Sequence, residues 1–104
     1  MAERLKDLVL QRHGDRVRRI ILFGSRARGD ARPDSDYDLL VVLRDLDPRR
    51  RQAMLVGLHE AFRGVGVTVE PHVMGDEEFE ETRDVIGGLA YPAAKEGVVL
   101  YESA

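Results

Sequence analysis

A chain of 104 residues has room for one hydrophobic core, so a single domain over residues 1–104 is expected. The absence of cysteine excludes disulfides, thiolate metal sites and thiol nucleophiles, and a net charge of -3 excludes a general nucleic-acid binder with a strongly basic footprint. No apolar run reaches the about 18 residues of a membrane span and no basic-then-apolar leader opens the chain, so a cytoplasmic location is expected.

Ala2 to His13 places Leu5, Leu8, Val9 and Arg12 at spacings that give one core-facing stripe, a packing helix stopped at Gly14. A β-branched run from Arg16 or Val17 to Phe23 is the first strand. Gly24-Ser25 then opens a short helical turn, with Ser25 as N-cap and Gly29 as stop. Arg32-Pro33-Asp34-Ser35 is a turn, and a second strand runs from Asp36 to Leu43. Asp47-Pro48 is a helix-start signal followed by the stripe Met54, Leu55, Leu58, Ala61 and Phe62, ending at Gly64. Val65 to Met74 alternates as a third strand, with Pro71 marking an edge or a bulge. Gly75-Asp76 opens an acidic helix to about Arg83, resumed from Ile86 to Lys95 around Gly87-Gly88 and Pro92. Val98 to Glu102 is the last strand. The order implies an α/β (α+β) sandwich: a small mixed sheet, mainly antiparallel, flanked by helices. The first two strands are joined by too short a segment for a crossover and are expected to be antiparallel neighbours.

The chemistry gathers between the first two strands. Asp36 and Asp38 are two apart on a strand, so their carboxylates project from one face and repel each other unless a cation lies between them. Magnesium suits such a pair, since one or two carboxylates hold it and water and phosphates complete its shell. A turn leaving a strand and entering a helix exposes free N–H groups, which suits phosphate oxygens at Gly24 and Ser25. Glu70 is the one acid of the third strand, on the face opposite Val67 and Val69, and is the candidate third carboxylate. Arg26 and Arg28 belong to an arginine-rich first third and could neutralise phosphate charge. Structural alternatives stay open: a capped turn for Gly24-Ser25, turn residues or partners of Arg32 and Arg26 for the two aspartates, a solvent-facing Glu70. His72 shares the face of Glu70, as a neighbour of the substrate or simply exposed, while His13 and His59 look like helix-surface residues. An EF-hand is excluded because Leu39 stands where glycine is required, and a Walker A loop because the needed lysine is missing.

Gly24-Ser25, ten intervening residues and Asp36-Tyr37-Asp38 resemble the signature of the DNA polymerase beta-like nucleotidyltransferase superfamily. With Ala27, Gly29, Ser35 and Leu39 also in place, the text is similar to the minimal nucleotidyltransferase (MNT) branch, which includes the MntA-type antitoxins. The motif spans about a fifth of the chain. Beyond it the likeness is looser: chain length, a further strand with an acid, and a closing Glu96-Gly97-Val98-Val99-Leu100-Tyr101.

The resemblance implies a nucleotidyltransferase-like fold and transfer of AMP from ATP to a hydroxyl, with two magnesium ions held by Asp36, Asp38 and Glu70. It also implies Gly24 and Ser25 on the β- and γ-phosphates and Glu70 as the base, where the family mostly has aspartate. A chain with little room for an acceptor-binding domain would take its acceptor from a partner protein or a dimer mate. In MNT proteins that partner is typically a HEPN-domain ribonuclease, and MntA-type members modify one of its tyrosines. Two other readings stand beside this one: transfer to a small hydroxyl compound, and a non-catalytic nucleotide-binding or antitoxin module acting by contact.

Overall fold

The computed structural model describes residues 1–103. Four strands form one sheet: β1 (Val17–Phe23), β2 (Tyr37–Leu43), β3 (Val69–Gly75) and β4 (Val98–Glu102), in the order β3-β2-β1-β4. β1 runs antiparallel to both β2 and β4, as its short connection to β2 requires, whereas β2 and β3 are parallel. A parallel pair needs a crossover, and α3 (Arg51–Ala61) supplies it. The helices α1 (Ala2–His13), α2 (Ser25–Arg28), α4 (Asp76–Thr82) and α5 (Ala90–Glu96) complete the chain.

Burial on both faces explains why β2 reads as an unbroken apolar run instead of alternating. On one face Leu5 and Val9 of α1 and Met54 and Leu58 of α3, with Phe62, pack over Val17, Ile20, Leu22, Leu39, Val41, Leu43 and Val73. On the other, Phe79 of α4 and Ala90 and Ala93 of α5 cover Ile21, Phe23, Leu40, Val42 and Met74. Pro71 lies in edge strand β3, where its missing N–H costs no ladder bond.

Several boundaries differ from the sequence reading. β3 begins at Val69, not Val65, because Gly64 (φ 76°) and Gly66 (φ 93°) hold left-handed turns that break the alternating run. β2 begins at Tyr37, leaving Asp36 just outside the ladder. The second acidic segment is not resumed at Ile86: residues 83–89 turn, and α5 starts at Ala90, with Pro92 in its first turn where no N–H is needed. Asp47 caps a 3-10 turn, Pro48–Arg50, by accepting from Arg49 N at 2.9 Å before α3 begins. His13 is not a plain surface residue: it is partly buried, and its Nε2 is shielded without a partner. His59 is exposed as expected.

Candidate active site

The site lies where β1 ends and β2 begins. Phe23 pairs with Asp38 across the antiparallel ladder, and Asp38 pairs with Glu70 across the parallel one. Level partners on neighbouring strands point to one face, so Asp38 and Glu70 stand side by side. His72, two residues along β3, shares that face, and its ring lies 5.6 Å from that of Phe23.

Gly24 follows Phe23 with φ 75° and ψ -158°, a conformation that disfavours any side chain. A Cβ at this position would also collide with Asp38 Oδ2, so glycine lets the backbone lie directly against the carboxylate. The Gly24 carbonyl accepts from Ala27 N and Arg28 N, each at 3.1 Å, making Gly24 the cap of α2 and Ser25 its first residue. The expectation that Ser25 caps this helix is therefore corrected. Its hydroxyl has no hydrogen-bond partner among the described residues, and Gly29 (φ 83°) closes the turn as expected, donating to Ser25 O at 3.1 Å.

Asp36 is exposed and precedes the strand, Asp38 is half-buried, and Glu70 is exposed. Burial, then the charge of Glu70, push the Asp38 carboxyl above its usual range; the charge of Asp36 adds to this, while His72 and Arg28 oppose it. The charges of Asp36 and Glu70 thus reach Asp38 at the open end of the sheet. Among the described residues, however, no three carboxylate or imidazole groups converge as a ready-made metal set. The donors still fit magnesium, which is held by one or two carboxylates with water and phosphate filling the remaining positions. A half-buried carboxylate that is costly to ionise beside two like charges is also a place where a cation stabilises the charged form.

The two arginines separate. Arg28 is exposed, pairs with Asp30 at 3.3 Å and Glu96 at 3.7 Å, and its charge reaches Asp38. Arg26 is turned to the loop before β2: its Nε and Nη2 donate to Ser35 O at 3.2 and 2.9 Å, and Nη2 also to Pro33 O at 3.2 Å. Its guanidinium lies 4.4 Å from the Tyr37 ring centroid. This clamp was not visible in the sequence, because its acceptors are backbone carbonyls whose direction depends on the path of the turn. A cleft of about 480 Å³ lined by Arg12, His13, Arg16, Arg50 and Met54 lies by the start of β1, away from the carboxylates.

A Methanocaldococcus jannaschii protein named "putative protein adenylyltransferase" is 55% identical over 40 residues, which is 38% of this chain and 27% of that protein. The chain thus spans about a quarter of the curated relative it matches. Among solved structures, a toxin–antitoxin complex with AMP-PNP is similar over 99% of this chain and 75% of its own, at 22% identity and TM-score 0.64. A complex of tri-AMPylated Shewanella oneidensis HEPN toxin with MNT antitoxin is similar over 97% and 70%, at 19% identity and TM-score 0.52. These likenesses are of fold. The nucleotidyltransferase domain itself is matched over residues 2–96, a span that holds β1 to β3, the turn and the acids, and the chain belongs to that family.

Proposed function

We propose that this chain moves AMP from ATP to a protein hydroxyl, that of a tyrosine on a HEPN-domain toxin. One observation carries the reading: Asp38 stands level with Glu70 and directly against Gly24, so the acids adjoin a turn with free donors. Two magnesium ions held by Asp36, Asp38 and Glu70 would neutralise the triphosphate and polarise its α-phosphorus. Backbone N–H groups at Gly24 and Ser25 and the Ser25 hydroxyl hold the β- and γ-phosphates. Glu70 takes the proton as the hydroxyl oxygen bonds to the α-phosphorus and the bond to the β-phosphate oxygen breaks. Arg28 faces the charge on the departing pyrophosphate.

The name of the curated relative, the AMP-PNP bound in one similar complex and the AMPylated toxin in another support adenylyl transfer and a toxin acceptor. A cysteine-free chain suits the reducing cytoplasm, where we place the reaction. No helix among the described residues is long and apolar enough to cross a membrane. A second reading, binding by contact without transfer, is favoured by the exposed Glu70 and the lack of a closed three-acid set. Incubation with magnesium, labelled ATP and a HEPN-domain toxin separates the two. Label on a toxin tyrosine supports the proposal; label on a small molecule, or on nothing, overturns it.

A further inference from the structure

We propose that Arg26 is a positioning residue that fixes Asp36, an inference that rests on the transferase reading and gives this arginine a role other than phosphate contact. Asp36 lies outside the β-ladder, whose first β2–β3 pair is Tyr37 with Val69. Among the described residues, its backbone is held through its neighbours. On the C-terminal side, Tyr37 N donates to Thr68 O at 2.9 Å. On the N-terminal side, the Ser35 carbonyl accepts from both Nε and Nη2 of Arg26.

The segment ahead of Asp36 is a closed turn, with Ser35 N donating to Arg32 O at 3.0 Å and Arg32 N to Ser35 Oγ at 2.8 Å. Arg26 docks that turn onto α2 by three carbonyl contacts and by stacking on Tyr37, the residue after Asp36. Since α2 begins at Gly24-Ser25, one side chain makes the phosphate turn and the Asp36 loop a single piece. Asp38 needs no such support, because its ladder pairs with Phe23 and Glu70 hold it on both sides. Only a planar fork can bond a carbonyl through two nitrogens while its face covers a ring, so lysine is no substitute.

The test compares Arg26→Lys and Arg26→Ala with the wild-type chain. Amide hydrogen exchange is followed in the metal-free protein, and magnesium and ATP titrations in the transfer assay. Exchange over residues 34–37 is expected to quicken about tenfold or more, the scale of losing a hydrogen bond to a charged group. β1 amides are the control for global unfolding and should stay protected, at least in Arg26→Lys. The magnesium concentration for half-maximal rate should rise several-fold while KM for ATP holds. Unchanged exchange over residues 34–37 overturns the inference, as does a raised KM for ATP with unchanged magnesium dependence. Should the wild-type chain transfer nothing, the transferase reading falls, and the exchange result alone decides whether Arg26 holds this loop.

Discussion

One face of the sheet is sealed and the other is left open at one end. Val17, Ile20, Leu22, Leu39, Val41, Leu43 and Val73 lie under α1, of 12 residues, and α3, of 11. The opposite row, Ile21, Phe23, Leu40, Val42 and Met74, is covered by α4 and α5, of seven residues each, and continues into Asp38 and Glu70. At 1.5 Å per residue the short helices reach about 10 Å and the long ones about 16–18 Å. The acids therefore sit where the helical cover runs out, on strands that are otherwise apolar. Successive strand residues point to opposite faces, so Asp38 and Leu39 are neighbours in the chain and belong to different environments.

Substitution at these neighbours should break function and stability separately. Asp38→Asn is expected to lower the rate of labelled-nucleotide transfer on the order of a hundred- to a thousandfold, as for other preorganised charge-stabilising groups. Its melting temperature should equal or exceed that of the wild type. The sign follows from linkage: the folded carboxyl titrates above its ordinary value of 3.8, so stability falls as pH rises through that window. Above the window the charge is a constant cost, which the amide removes. Glu70→Gln should lose about a hundredfold in labelled-nucleotide transfer as a missing base. Leu39→Ala should do the reverse, lowering unfolding stability by about 2–5 kcal/mol in urea titration while transfer per folded molecule holds. If Asp38→Asn destabilised the chain as Leu39→Ala does, the two faces would not differ in the way described.

The sequence disclosed most of this where short-range chemistry decides the outcome. A β-branched run delimited β1 ahead of the Gly24 turn, and the apolar run from Val98 delimited β4 after the α5 stop at Gly97. Gly29 was legible as a helix stop for the same reason, and the antiparallel pairing of β1 and β2 followed from the length of their connection. Through-space relations were not legible. The run Val65 to Thr68 alternates like a strand, yet two left-handed glycines turn it into a loop. Glu70 could be named as an acid, but its level with Asp38 comes from a parallel register set by the α3 crossover. Arg26 is a candidate phosphate ligand because arginines beside such a turn can be, and only the path of Pro33 and Ser35 shows that its Nε and Nη2 also hold that loop.

The smallest expected effect tests whether the sealed face is sealed throughout. At the end of α1, His13 Nε2 is buried without a partner, an arrangement that destabilises the fold slightly even for a neutral ring. Burial first, then the charges of Arg12 and Arg16, push its pKa below the ordinary 6.5. Between the folded value and 6.5 the unfolded chain binds more protons, so stability should rise with pH through that window and level off above it. His13→Leu removes both the unpartnered nitrogen and the titration. Urea midpoints measured on either side of 6.5 should then differ less than in the wild type, with stability at neutral pH unchanged or higher. An unaltered pH slope in His13→Leu would mean that the imidazole is solvated and that the cleft beside α1 admits water to this end of the core.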